Sequence, residues 1–262
     1  MPTLPAATKL TSHRSATRLL LGATVALFLV CASPAHAAPT AGLLNDTGQT
    51  LCDNGSNVMA ACSNANTGDA ATYPRQDGRF GRDAATFTKT GGGAAGFDFT
   101  RVCMNGDLAG SGSCAASPTA ATDQALPNPS DWACTKDNVT NLIWSLQSGS
   151  GDWTTYAQVT LPGEHNAANA GVGRCGGTGW RLPTLLELLS IVHNGLATPP
   201  TIDANYFPDV PVTADSSIYW TSDVYMACCS QLLAWIVEFR GGDSRGDTKT
   251  KSHYVRLVRS GP

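Results

Sequence analysis

The chain has no apolar run of membrane-spanning length. The longest uncharged apolar stretch, Leu19 to Ala32, is 14 residues, against the roughly 20 a bilayer needs. Charge is scarce at 14% of residues. There is no C-x-x-C pair, which argues against a zinc site. H-E-x-x-H, G-x-S-x-G and P-loop patterns are absent too, and with them the commonest metalloprotease, hydrolase and nucleotide-binding signatures. No EF-hand loop is present, although Asp203, Asp209, Asp215, Asp223, Asp243 and Asp247 supply hard oxygens. Strands and helices do not alternate in a βαβ order, and no internal repeat is evident.

What is present at the start reads as an export signal. Lys9, Arg14 and Arg18 precede the apolar run, and Ala35-His36-Ala37 supplies small residues for cleavage. Residues 1–37 are expected to be removed. A lipoprotein signal at Cys31 is disfavoured because Val30, not a small residue, precedes it. Three of the 17 Lys and Arg and none of the 20 Asp and Glu leave with the signal, so the remaining chain carries a formal charge of −6. That bulk charge gives no footprint for nucleic acid. The expected location is extracytoplasmic: secreted, periplasmic or cell-surface, with no transmembrane segment after cleavage.

Eight cysteines remain: Cys52, Cys62, Cys103, Cys114, Cys134, Cys175, Cys228 and Cys229. An even number in an exported chain argues for disulfides, though eight allow 105 connectivities. Cys52–Cys62 and Cys103–Cys114 would each staple a short Gly/Asn/Ser-rich loop. Cys134, Cys175, Cys228 and Cys229 would share the rest, and the adjacent Cys228 and Cys229 would take separate partners.

Composition divides the expected mature chain. Residues 38–131 are rich in Gly, Ala and Asn and cannot build much core alone. They read as an extension packed on residues 132–262, which hold all six tryptophans. Thr184 and Glu187 have capping-box spacing, so a helix should start there, bury Leu185, Leu186, Leu188, Leu189, Ile191 and Val192, and end at Gly195. Ile218–Val224, Leu233–Phe239 and the run from His253 read as strands. The Gly-rich loop between the last two predicts a hairpin. The class is α+β with an antiparallel sheet.

Six motifs then appear in a distinctive order. Asp137-Asn138-Val139-Thr140-Asn141-Leu142-Ile143-Trp144 is followed by Trp180-Arg181-Leu182-Pro183-Thr184 with Glu187, then Ile202-Asp203 with Tyr206-Phe207-Pro208. Tyr219-Trp220-Thr221-Ser222, Ala234-Trp235 and Tyr254-Val255-Arg256-Leu257-Val258-Arg259 complete the series. This order resembles the family named for the C-terminal domain of the Legionella collagen-like protein, an extracytoplasmic bacterial family largely of unknown function. The resemblance covers about residues 134–260. It implies a disulfide-bonded domain like C-type lectins and formylglycine-generating enzymes, with antiparallel sheet and much loop. The namesake is an adhesin whose terminal domain binds sulfated polysaccharides. This chain lacks a collagen-like repeat, so the namesake's trimerisation does not carry over. The usual helix before Trp180 contains Pro162, Gly163, Gly171 and Gly173 and should be short or broken.

The tryptophans and Tyr219 could form a sugar platform, but large aromatics in strands are more often core. The segment from residue 240 is locally basic. Arg240, Arg245, Lys249, Lys251, His253 and Arg259 are its candidate contacts for an anionic polysaccharide, while Arg256, between Val255 and Leu257, is a candidate buried anchor. Arg245-Gly246-Asp247 spells an adhesion tripeptide, expected at the hairpin tip. Glu164-His165 is the one adjacent acid–imidazole pair, and His193 sits late in the predicted helix. No catalytic residue, metal or cofactor is assigned. The expected function is a non-enzymatic binding or adhesion module for an anionic polysaccharide or a surface protein. The alternatives are a structural envelope protein and an enzyme on a formylglycine-generating-like fold.

Overall fold

In a computed structural model of the chain, described for residues 45–262 apart from 54, 56–58, 63–72, 83–87, 122–126, 212–216 and 227–231, both faces of one sheet are buried. Residue alternation along its strands produces this. In strand β5 (Leu142–Gly151), Leu142 and Trp144 enter one core and Ile143 the other. The same division holds in β6 (Ile218–Val224) for Tyr219 and Trp220, and in β7 (Leu233–Glu238) for Val237 and Ile236. In β9 (His253–Ser260), Val258 faces the first core while Val255 and Leu257 face the second. A period of two buried on both faces reads as near-continuous apolar sequence.

The remaining strands are β3 (Phe99–Cys103), β4 (Trp132–Asp137) and β8 (Asp243–Thr248), and the spatial order is β3-β4-β5-β9-β6-β7-β8. Pairings are antiparallel except β6 with β9, which meet in parallel at Tyr219 and Tyr254. A separate ribbon pairs β1 (Leu51–Asp53) with β2 (Met59–Ala61) and is closed by Cys52–Cys62. The extension ahead of residue 132 thus supplies an edge strand of the main sheet, and its Phe97 and Phe99 join the first core. The described residues lie in one compact unit, Ala37–Pro262.

The first core is covered by α2 (Leu185–Leu189) and the chain from Ile202 to Val210. The second is covered by a wide π-helical segment, Trp153–Thr160, that continues into α1 (Leu161–Ala167). Asp152 caps that segment by accepting from the Thr155 amide at 2.8 Å. Pro162 is the second residue of α1, at the junction with the π-helical segment. Helix ends at Ala167, and Gly171 and Gly173 follow with φ of 88° and 91°. The helical run thus passes through Pro162 and Gly163 without a break and ends ahead of Gly171 and Gly173.

Three expectations need correction. The expected β7–β9 hairpin does not form. The polar loop is itself β8, paired along its length with β7, while β9 lies between β5 and β6. An edge strand faces water on one side, so polar and charged residues serve it, and period-two apolar patterning could not reveal it. The tripeptide Arg245-Gly246-Asp247 consequently lies inside β8, not at a tip. The helix from Thr184 stops at Leu189, with Ser190 as its C-cap. Leu186 is 78% exposed, so the helix buries a narrower stripe than its leucines imply. Gly195 does not adopt a left-handed φ. It is required instead for close approach, since a Cβ there would lie 2.0 Å from the Gly48 carbonyl oxygen.

Candidate functional site

The ordered motifs become intelligible as turn and cap chemistry. Asp137 closes the β4–β5 turn: its Oδ1 accepts from the Val139 amide at 2.9 Å and its Oδ2 from Thr140 Oγ1 at 2.7 Å. Asn45 Nδ2 donates to the same carboxylate at 2.7 Å, tying the extension to the turn. Burial raises the Asp137 pKa despite these donors. Asn141 takes φ 57°, which asparagine tolerates well, and Leu142 and Trp144 then enter the core.

In the next motif, Trp180 Nε1 donates to the Gly177 carbonyl at 2.9 Å and Leu182 is buried. Arg181 makes a two-pronged pair with Glu187, at 2.8 and 2.7 Å. Glu187 also accepts from the Thr184 amide at 2.8 Å, while Thr184 Oγ1 accepts from the Glu187 amide at 3.2 Å. One carboxylate therefore closes the capping box and neutralises Arg181. Burial pushes the Glu187 pKa up, but the Arg181 hydrogen bond, the Thr184 amide and the Arg181 charge outweigh it and the net shift is down.

Three of the six basic-segment candidates, Arg245, Lys251 and His253, gather near Asp247, and a fourth, Lys249, stands on Trp153. Lys251 Nζ reaches Asp247 Oδ1 at 2.7 Å, and His253 Nε2 lies 2.9 Å from Oδ2. Lys249 Nζ sits 4.3 Å from the centroid of the Trp153 ring, whose Nε1 donates to the Thr221 carbonyl. Arg245, two residues before Asp247 on the same strand face, pairs with Glu238 at 2.6 Å. The other two candidates lie elsewhere. Arg240 is exposed in the β7–β8 turn, and Arg259 is buried at a separate cleft between β4 and β9. Burial, together with the Lys251 and Arg245 charges, outweighs Asp247 and lowers the His253 pKa, while Lys251 and Arg245 are balanced by Asp247 and Glu238. Both charged groups of the Arg245-Gly246-Asp247 tripeptide are already paired, Arg245 with Glu238 of β7 and Asp247 with Lys251 of the following turn.

The Lcl C-terminal domain model matches residues 133–259. Those residues belong to the Lcl C-terminal domain family. No curated protein matches the chain. The match begins at β4 and ends in β9, so the ribbon and β3 precede the family domain.

In this Lcl C-terminal domain the aromatic candidates divide. Trp132, Trp144, Trp180, Trp220 and Tyr219 are core, while Trp153 and Trp235 are half-buried. Of the imidazoles, His193 is buried against Phe97 and its Nδ1 accepts from the Gly195 amide at 3.2 Å. His165 is buried edge-on to Trp180, and burial with the nearby Arg174 charge lowers its pKa to about 3. Glu164 is exposed, so Glu164 and His165 face different environments and do not act as one unit.

The aspartates weighed for calcium are dispersed. Asp203 accepts from the Ala94 amide, Asp209 pairs Arg256, and Asp223 accepts from the Leu185 amide. Asp215 lies outside the described residues. The bonds Cys52–Cys62, Cys103–Cys114 and Cys134–Cys175 are formed. The first two are the local staples expected from sequence; Cys228 and Cys229 lie outside the described residues.

The contribution that sequence reasoning missed is Lys136, which shares the cleft with Arg259. Alternation along β4, with Cys134 and Lys136 on one face, was the available signal.

Proposed function

We propose that the chain is an exported, non-enzymatic binding module with a C-type-lectin-like fold that holds sulfated or otherwise anionic glycans at the Asp247 corner. The observation that carries this reading is the placement of Lys249 over Trp153, two residues before Lys251 in the β8–β9 turn. A half-buried ring fixes a cation at the surface, and neighbouring cations can meet successive anionic groups of a chain. The three disulfides fit an oxidising, extracytoplasmic compartment.

Retention on a sulfated-glycan matrix across a salt series tests the reading. Retention should weaken steeply as salt rises and be abolished by Lys249→Glu with Lys251→Glu. Retention that ignores both salt and the double variant would sink it.

A further inference from the structure

A second cationic site lies on the other side of the sheet centre, in the second core's layer. Strand register sets Lys136 of β4 opposite Ile143 of β5, and Ile143 opposite Arg259 of β9. Directly paired residues project from the same face. The two cations therefore flank an apolar floor, with their Cα atoms roughly 10 Å apart across two strand spacings. The cleft between them holds about 160 Å³ and is also lined by Val102, Leu108 and Gly176. Its walls are fixed covalently: Cys134–Cys175 holds one and Cys103–Cys114 the other. Gly106 and Gly176 meet back to back, where a Cβ on Gly106 would stand 3.0 Å from the Gly176 Cα.

Arg259 is built in. It is 8% exposed, and its guanidinium donates to the Cys175 carbonyl at 2.7 Å and the Ser260 carbonyl at 3.0 Å. Trp180 lies 5.4 Å away, and a Cβ on Gly177 would come within 2.6 Å of the guanidinium carbon. No carboxylate pairs with it among the described residues, and its buried Nε has no acceptor. Lys136 likewise makes no ion pair or side-chain hydrogen bond among the described residues. Arg256, three residues earlier on β9, shows the contrast: it is buried and pairs with Asp209. A buried cation without a counter-charge is costly, and a bound anion would remove that cost.

We propose that this cleft binds a compact organic anion, with its oxyanion on Arg259 and Lys136 and its apolar body on Ile143 and Leu108. The volume corresponds to roughly five waters, which suits a small molecule rather than a run of polysaccharide. The site is independent of the Asp247 corner.

The test is a ¹⁵N NMR titration of the oxidised protein with butyrate, and with butanol as the uncharged counterpart, at fixed ionic strength. Butyrate should shift the Ile143, Gly176, Gly177 and Arg259 amides saturably, and butanol should not. Lys136→Met should weaken butyrate by about tenfold, the worth of one charge-assisted contact. Gly177→Ala, which displaces the guanidinium, should weaken it as well, while Lys249→Ala should change nothing. Lys136→Met removes an unpaired, partly exposed side chain, so it keeps the test decisive even where Gly177→Ala disturbs folding. Equal responses to butyrate and butanol would overturn the proposal. So would equal affinity in the protein and its Lys136→Met variant, or shifts confined to the Asp247 corner.

Discussion

Arg256 Nη2 donates to Asp209 Oδ1 over 2.8 Å, from a guanidinium with no exposed surface. The same group donates to the Ser145 carbonyl at 2.5 Å and lies 5.2 Å from the Phe207 ring and 5.6 Å from Tyr219. A strand residue is thereby joined to the loop that covers the first core. Burial works against the charge, but Asp209 and Tyr219 outweigh it, and the Arg256 pKa is raised. Asp209→Asn strands the charge and should cost about 3–5 kcal/mol. Arg256→Met should cost less, about 1–3 kcal/mol, because Asp209 keeps 17% of its side chain in water. The double variant should be more stable than the two losses added together predict. Urea midpoints at unchanged slope measure this cycle, and simple additivity would show that the pair is not coupled.

Glu187 serves two partners, Arg181 and the N-terminus of α2. Glu187→Gln keeps a capping acceptor but loses the ionic contact, and should cost about 1–2 kcal/mol. Glu187→Ala loses both and should cost about 2–4 kcal/mol. Because the folded pKa lies below the ordinary value of 4.5, the contribution is fully present above that value and is lost as pH falls through the folded pKa. Urea midpoints of wild type and Glu187→Gln should converge at the acid end. A gap that stays constant with pH would remove the ionic part of the argument.

The sequence showed this cap because a capping box is local: two residues three apart carry it, and the structure forms both of its hydrogen bonds. The short disulfides were legible for the same reason, as staples of loops only 10 and 11 residues long. The burial of Arg256 could be read from its place between Val255 and Leu257, since alternation in a strand is also local. Arg259 could not be assigned to its cleft that way, because its surroundings come from β4 and from the turn at Cys175, far apart in sequence. β8 was invisible for a different reason. Its residues are polar because it is an edge, and its pairing is set by β7. The buried face of the helix was overestimated because apolar periodicity does not register that Leu186 faces water.

Cys134–Cys175 spans 41 residues, whereas Cys103–Cys114 spans 11. Chain-entropy reasoning assigns about 4 kcal/mol to closing the longer loop and about 3 kcal/mol to the shorter. Replacing Cys134 and Cys175 together by alanine should therefore destabilise more than replacing Cys103 and Cys114. Denaturant midpoints of the two double variants decide the order, and the reverse order would mean that native packing around the turns, not loop closure, sets their worth.

His165 gives the chain a built-in acid limit. Its imidazole is 2% exposed, packed edge-on to Trp180 and near the Arg174 charge, and its pKa falls from 6.5 to about 3. Burial is the larger cause and Arg174 the second. Between those two values the unfolded chain binds a proton that the folded chain refuses, so stability rises with pH across this window. The contribution is complete above about pH 6.5 and fades as pH falls toward 3, with a total on the order of 5 kcal/mol. His165→Gln has no proton to bind in this range and should flatten the loss of stability on acidification, even where its packing lowers stability at neutral pH. Thermal or urea midpoints from pH 7 to pH 4 provide the comparison. If wild type and variant lose stability in parallel over that range, the acid sensitivity belongs to the carboxylates and not to His165.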